Sequence, residues 1–182
     1  MKHIVVLMGM PGAGKDTQAD LLETNHGYDI IRVGELVRSL AKKNKLVDAE
    51  QHSGELAEPE IVDGIVAKAI EQAKSSEKIV CDGYPRTLAQ AEKLVQICKD
   101  QKAVIEQVIY LKIPVAEVHK RLSLRNREDD SARAINNRLQ IFNNNTQPVL
   151  DYYAKTGQLN AVSGVGSIEA VERRILKVLK KL

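Results

Sequence analysis

The chain has 182 residues, which is enough for one domain with a sizeable hydrophobic core. Its composition, with 43% hydrophobic and 28% charged residues, is typical of a soluble globular protein. The formal net charge of +3 suits a small anionic ligand, but it falls short of the basic surface that a nucleic-acid binder needs. Aromatic residues make up only 3% of the chain, so base-stacking platforms are not expected either.

The sequence also argues against secretion and membrane insertion. The short apolar run at the N-terminus leads directly into a glycine-rich turn, which indicates a first strand rather than a signal peptide. No apolar segment approaches the ~18 residues of a membrane span. Cys81 and Cys98 have neither metal-ligand nor disulfide spacing, which is typical of reduced thiols. We therefore expect a cytoplasmic protein that does not bind membranes.

The predicted elements alternate between strands and helices along the whole chain. Strands are predicted at 3–8, 29–33, 78–81, 104–113 and 159–163. Helices are predicted at 15–26, 34–43, 59–74, 87–100, 114–125, 132–153 and 167–181, with an interruption or kink at Pro148 and caps at Gly27 and Ser167. This alternation predicts an α/β fold with a five-stranded parallel sheet and helices on both faces. In such folds ligands bind beyond the carboxyl ends of the strands.

A glycine-rich turn follows the first predicted strand. Gly9, Gly14 and Lys15 match the phosphate-loop pattern G-x-x-x-x-G-K-[S/T], although Asp16 stands in the place of the hydroxyl residue and Thr17 follows it. The backbone amides of this turn and the N-terminus of the next helix are suited to bind an anion. A turn that merely joins a strand to a helix is the alternative. Because strand, glycines, lysine and helix occur in this order, we predict a nucleotide-phosphate site.

The segment CDGYPRTLAQ forms the second candidate region. Asp82 ends an apolar strand, where phosphate-loop enzymes keep an acid for Mg²⁺ and its waters. Gly83 permits a tight turn, Pro85 stiffens it, and Arg86 is able to bind a phosphate through two guanidinium nitrogens. An ordinary strand-to-helix turn with a surface arginine is the alternative interpretation.

An arginine-rich region surrounds the acidic run at 128–130. Its members are Arg121, Arg125, Arg127, Arg133 and Arg138. Such a run of charges is usually a solvated helix face. Arg125 and Arg127, however, fall in a polar break between two predicted helices, where a segment could fold over phosphates. Phosphoryl transfer requires guanidinium groups that neutralise charge and a site that excludes water. We interpret Arg133 as a surface residue.

Seven segments together resemble the adenylate kinases and the wider family of nucleoside monophosphate kinases. They are GMPGAGKDTQ, IRVGELVR, GELAEPEIV, CDGYPRTLAQAEKL, RLSLRNREDD, NNRL and TQPVLDYYAKTG, in one register. The resemblance implies a P-loop NTPase fold made of a single kinase domain. It further implies a core at 1–31, 59–124 and 132–182, a small NMP-binding lobe at about 32–58, and a short lid at about 125–131.

The resemblance also implies the reaction and its residues. The expected reaction is reversible, Mg²⁺-dependent, in-line transfer from ATP to AMP, which gives two ADP. The catalytic residues would be Lys15, Arg86, Arg125, Arg127 and Arg138. The ATP site would comprise Gly12, Ala13, Gly14, Lys15, Asp16, Thr17, Arg121, Arg125 and Gly166. The AMP site would comprise Val33, Arg38, Glu55, Leu56, Ala57, Gly83, Tyr84, Pro85, Arg86, Gln90, Arg127 and Arg138. Asp82 would hold Mg²⁺ through water.

Three positions depart from the family pattern. Asp16 replaces the usual glycine, and Arg32 and Val33 stand where the family has Ser and Thr. Two alternatives therefore stay open: a kinase of the same fold for another nucleoside monophosphate, and a catalytically weak nucleotide-binding sensor or scaffold. The short lid contains no cysteine, so no zinc is expected. We expect a monomer whose partners are ATP, AMP and ADP.

Overall fold

The computed structural model describes residues 1–41, 58–73, 78–125 and 132–180. The strands are β1 (Lys2–Gly9), β2 (Asp29–Arg32), β3 (Lys78–Asp82), β4 (Ala103–Lys112) and β5 (Leu159–Ser163). The helices are α1 (Lys15–His26), α2 (Val33–Ala41), α3 (Pro59–Gln72), α4 (Leu88–Asp100), α5 (Val115–Arg125), α6 (Ala132–Ile141), α7 (Gln147–Lys155) and α8 (Ile168–Leu179). A π-helical turn, Phe142–Thr146, joins α6 to α7.

The five strands form one parallel sheet in the order β2-β3-β1-β4-β5. Strand β1 is central, and its side chains alternate between two hydrophobic cores. Ile4, Val6 and Met8 belong to the core that packs against α2, α3, α4 and α7. Val5 and Leu7 belong to the core on the other face, which contains residues of α1, α5 and α8. The predicted parallel sheet with helices on both faces is therefore confirmed.

Local backbone chemistry fixes the helix ends. Helix α1 begins after Gly14 at φ +92° and ends at Gly27 at φ +69°, and glycine adopts both conformations without strain. The Ser167 hydroxyl accepts a hydrogen bond from the Ala170 amide, which caps α8 as predicted. The Thr87 hydroxyl caps α4 in the same way.

Most predicted boundaries differ from the structure by a residue or two, and two of the differences have a clear physical reason. The helical stretch 132–153 is interrupted at the π-helical turn Phe142–Thr146, just before Pro148 rather than at it. Pro148 lies in the first turn of α7, where its missing N–H is tolerated, so it does not kink the helix. Val33 begins α2 instead of ending β2, because the pairing of β2 with β3 ends at Arg32, opposite Asp82.

Because all the strands are parallel, their carboxyl ends meet at one edge of the sheet. Gly9, Arg32 and Asp82 end β1, β2 and β3 there. In the part of the chain that is described, no helix has the length and apolar character to cross a membrane. Most of the predicted lobe at 32–58 and of the predicted lid at 125–131 lies outside the described residues, so the domain division stays a prediction.

Candidate active site

The turn between β1 and α1 has the backbone of an anion-binding loop. Gly12 and Gly14 adopt φ values of +75° and +92°, which residues with side chains rarely adopt. The Lys15 ammonium folds back over the loop and donates to the carbonyls of Gly9 at 3.1 Å and Met10 at 3.3 Å. Lys15, Asp16 and Thr17, the first residues of α1, line the same space. This arrangement is suited to bind a phosphate, with the positive charge of Lys15 beside it.

Asp82 is a buried acid at the end of β3. The residue is only 6% exposed, and burial raises its pKa to about 6, although the positive charge of Lys15 opposes the change. Burial in turn lowers the pKa of Lys15, and the carboxylates of Asp82 and Asp16 act against that. Asp82 and Lys15 are therefore both buried at the base of the cleft, and the charge of each favours the charged form of the other.

The surroundings of Asp82 fit a hydrated divalent cation. Its Oδ1 atom is buried and has no hydrogen-bond partner among the described residues. A carboxylate oxygen is the acceptor that water molecules of bound Mg²⁺ require. Over the described ranges, no three His, Cys, Asp or Glu side chains lie together as a metal cluster. A buried acid beside a phosphate loop is thus suited to bind the metal through water and together with nucleotide phosphates.

The turn after β3 brings Arg86 to the cleft. Gly83 has φ +84°, and the Tyr84–Pro85 peptide bond is cis. The Arg86 Nε atom donates to the Gly83 carbonyl at 2.9 Å. Tyr84 is 1% exposed and its hydroxyl donates to Asp63 of α3 at 2.7 Å, which fixes the turn to the neighbouring helix.

Three arginines from separate elements converge at this end of the cleft. A Cβ atom on Gly34 would lie 3.4 Å from Nη1 of Arg38 and 4.0 Å from Nη2 of Arg86. Although Arg86 keeps part of its surface open to the cleft, desolvation lowers its pKa; Asp82 opposes this, while the charges of Arg138 and Arg38 lower it further. Clustered guanidinium groups repel one another, so the site favours a polyanion that binds between them.

Arg121 lies at the other end of the cleft. It forms an ion pair with Glu117 at 2.8 Å and donates to the carbonyls of Ala13 at 3.4 Å and Gly164 at 3.0 Å. A Cβ atom on Gly164 would lie 2.9 Å from Cγ2 of Ile113 and 3.2 Å from the Ala13 carbonyl oxygen. Glycine is therefore what lets the β5–α8 loop approach the phosphate loop.

One cleft of about 820 Å³ brings most of the predicted site residues together. Those that line it are Gly12, Ala13, Gly14, Lys15, Asp16, Thr17, Arg38, Asp82, Gly83, Tyr84, Pro85, Arg86, Arg121, Arg138 and Gly166.

The remaining predicted residues differ in position. Val33 is 3% exposed and packs in the core beneath the cleft. Gln90 is 4% exposed, and its Oε1 atom accepts a hydrogen bond from the Arg86 amide at 2.8 Å. Neither is among the residues that line the cleft. Arg133 is exposed, as expected. Glu55, Leu56, Ala57 and Arg127 lie outside the described residues, and Arg125 is described only as the last residue of α5.

Sequence reasoning missed several residues that contribute to the cleft. Thr146 of the π-helical turn donates to the Arg86 carbonyl at 3.0 Å. Gln18 lines the cleft and donates to the Ile168 carbonyl at 3.0 Å, and Gly164 forms part of its wall. The pair of glycines after the last strand was a usable signal for Gly164. Thr146 had no such signal, because its contact depends on the π-helical turn.

Comparison with known proteins gives a consistent answer. The sequence model described as adenylate kinase matches residues 7–158. An adenylate kinase of Leptospira biflexa serovar Patoc is 35% identical over 97% of this chain and 99% of its own length. That of Prochlorococcus marinus is 38% identical over 98% and 100%, and that of Archaeoglobus fulgidus is 31% identical over 98% of each chain. The resemblance seen in the sequence motifs is thereby confirmed, and the chain belongs to the adenylate kinase family.

Proposed function

We propose that this phosphotransferase catalyses the reversible reaction of Mg-ATP with AMP to form two ADP. Family membership makes the chain a nucleoside monophosphate kinase. The observation that supports the specific reaction is a single cleft with a phosphate loop, a buried acid and three converging arginines. An enzyme that transfers a phosphoryl group from one nucleotide to another needs those groups between two phosphate-binding ends.

The donor nucleotide would occupy the end of the cleft formed by the phosphate loop. The amides of residues 12–17 would bind the β- and γ-phosphates, and Lys15 would exchange its loop carbonyls for phosphate oxygens. Arg121 and the Gly166 backbone would contact the base, and Arg125 the phosphates. Bound Mg²⁺ would neutralise charge on the β- and γ-phosphates, and Asp82 would hold it through water.

The acceptor would occupy the arginine-rich end. Arg38, Arg86 and Arg138 would bind the AMP phosphate, whose negative charge would offset the repulsion between their guanidinium groups. Oε1 of Gln90 already accepts a hydrogen bond from the Arg86 amide. The Nε2 atom would therefore be the group of Gln90 that hydrogen-bonds to the edge of the adenine base. The other residues proposed for this site are Val33, Glu55, Leu56, Ala57, Gly83, Tyr84, Pro85 and Arg127.

Catalysis in this scheme requires no covalent intermediate. Alignment of the acceptor phosphate with the γ-phosphate, and neutralisation of the transferred group by Lys15, Arg86, Arg125, Arg127 and Arg138, would lower the barrier. The NMP-binding lobe at about 32–58 and the lid at about 125–131 would close on the substrates and exclude water. We also propose that the enzyme acts as a monomer, because residues of one chain line the cleft. A location in the cytoplasm is proposed because Cys81 and Cys98 are free, as in proteins of reducing compartments.

A product assay with Mg-ATP and each of AMP, UMP, CMP, GMP and dAMP tests this proposal. We expect rapid ADP formation with AMP and much slower turnover with the pyrimidine nucleotides. If the enzyme prefers another acceptor, the proposed mechanism would stand, and Arg32, Val33 and Gln90 would be the residues expected to determine the specificity. Absence of turnover with every acceptor, despite measurable ATP binding, would refute the catalytic proposal and favour a sensor or scaffold.

A further inference from the structure

The loop between β5 and α8, residues 164–167, is held by side chains from three helices. Nη1 of Arg174 donates to the carbonyls of Ser163 at 2.9 Å and Val165 at 2.7 Å. Nη2 of Arg121 donates to the Gly164 carbonyl that lies between them. Gln18 of α1 donates to a carbonyl just beyond the loop, that of Ile168 at the start of α8. Four nearby carbonyls are therefore bound by only three side chains.

This loop needs external support. Two of its four residues are glycines, Gly164 and Gly166, and glycine loses more conformational freedom on ordering than any other residue. Gly166 adopts φ +120°, and a Cβ atom there would lie 3.6 Å from Nη2 of Arg174. Within the loop, the Val165 amide donates only weakly to the Ser163 hydroxyl, at 3.4 Å. Among the described residues, the hydrogen bond from Arg174 to the Val165 carbonyl, at 2.7 Å, is the shortest one to the loop backbone, followed by that from the Gly164 amide to the Lys112 carbonyl at 2.9 Å.

Arg174 supports the cleft from outside it. Gly164 and Gly166 line the cleft, whereas Arg174 is not among its lining residues. The guanidinium group lies on α8 and bonds the carbonyls on either side of Gly164, so it fixes where the loop presents its backbone. With the carbonyls of residues 163–165 bound by arginines, the Gly166 backbone is the part of the loop suited to contact a ligand.

We propose that Arg174 is a positioning residue for the donor base. This inference rests on the proposed function, in which the Gly166 backbone contacts the base of ATP. Arg174 fixes the loop so that this contact is formed at little ordering cost when ATP binds. Its loss weakens recognition of the base and leaves phosphate binding at the β1–α1 loop and acceptor binding unchanged.

Three variants test the proposal. Arg174→Met removes the donors and keeps an apolar stem, and Arg174→Lys restores one group able to donate to both carbonyls. Arg173→Met is the matched control, because Arg173 is the exposed neighbour on the same helix and its loss changes the net charge equally. Calorimetry gives the Kd of ATP, competition gives the affinity for inorganic tripolyphosphate, and initial rates give KM for ATP and AMP separately.

We expect Arg174→Met to raise the Kd and KM of ATP about three- to tenfold, since the hydrogen bonds of one charged group are lost. The affinity for tripolyphosphate and the KM for AMP should change less than about twofold. Arg174→Lys should recover most of the loss, and Arg173→Met should resemble the unmodified protein. If Arg174→Met does not fold, Arg174→Gln provides the same comparison.

Two results would overturn the inference. One is an equal loss of affinity for ATP and tripolyphosphate, which would indicate a general structural role. The other is unchanged ATP binding in Arg174→Met. The binding measurements need no turnover, so they separate this inference from the proposed reaction: an unmodified protein that binds ATP but forms no ADP refutes only the reaction.

Discussion

Replacing Asp82 with Asn should stabilise the nucleotide-free protein at neutral pH. The substitution removes a buried negative charge and nearly preserves the shape of the side chain. Burial raises the pKa of Asp82 from an ordinary 3.8 to about 6, so the folded state holds this proton more tightly than the unfolded state does. Ionisation of the carboxyl therefore favours unfolding. The resulting stability is fully present below pH 3.8 and is lost as the pH rises through about 6.

The size of the effect follows from the shift. A difference of about two pKa units corresponds to about 3 kcal/mol of unfolding free energy at neutral pH. The raised pKa already includes the attraction of Lys15, so no further correction is needed for that charge. An Asn side chain must bury an amide group in the same place, which costs about 1 kcal/mol. We expect a net gain of about 2 kcal/mol, or a Tm higher by about 4–8 °C.

Unfolding by heat and by urea, without nucleotide or divalent cations, should be followed from pH 4 to pH 8. The gain of Asp82→Asn should be largest above about pH 6 and should shrink as the pH falls toward 4. Asp151→Asn is the matched control, because Asp151 is an exposed carboxylate on α7 and should show no such gain. A variant that is no more stable at pH 7.5, or whose gain is independent of pH, would refute the reasoning.

Three further substitutions test other parts of the cleft. Lys15→Ala should lower kcat at least 10²- to 10³-fold, to about the limit of a coupled assay, while circular dichroism stays unchanged; rates like those of the unmodified protein would contradict the phosphate-loop assignment. Gly164→Ala should lower the free energy of unfolding in urea by about 1–3 kcal/mol and raise the KM for ATP, because the new Cβ would lie 2.9 Å from Ile113. An unchanged midpoint of urea unfolding would show that the loop moves to accommodate the methyl group. Thr146→Val removes the 3.0 Å hydrogen bond to the Arg86 carbonyl and should raise the KM for AMP more than that for ATP in initial-rate measurements; an equal rise in both would argue against a role at the acceptor end.

The sheet and the phosphate loop were predictable because their signals are local. Buried strands require continuous apolar runs, and a loop that turns its amides inward requires glycines at fixed spacing, as at Gly12 and Gly14. The placement of Asp82 followed from the rule that parallel strands end at one edge. These features depend on neighbouring residues in the sequence, so one chain is enough to indicate them.

Other features depend on contacts between distant segments. The π-helical turn has no composition of its own; it buries Phe142 and Thr146, and the latter reaches Arg86 sixty positions earlier in the sequence. The contact of Gln90 with the Arg86 amide is local by contrast, because Gln90 follows the Thr87 cap by three residues and its side chain turns back over the start of α4. The hydrogen bonds of Arg174 end on backbone carbonyls, which every residue carries, so no sequence pattern marks them.

The central position of β1 has a consequence for synthesis of the chain. This strand is made before both of its partners in the sheet, which end at Asp82 and Lys112. The whole segment from Lys2 to Lys112 must therefore leave the ribosome before β1 is paired on both sides. Until then the apolar segment Ile4–Met8 has no complete partner surface, and such segments favour aggregation or chaperone binding. The strand that begins the phosphate loop thus stays incompletely paired until β4 has left the ribosome.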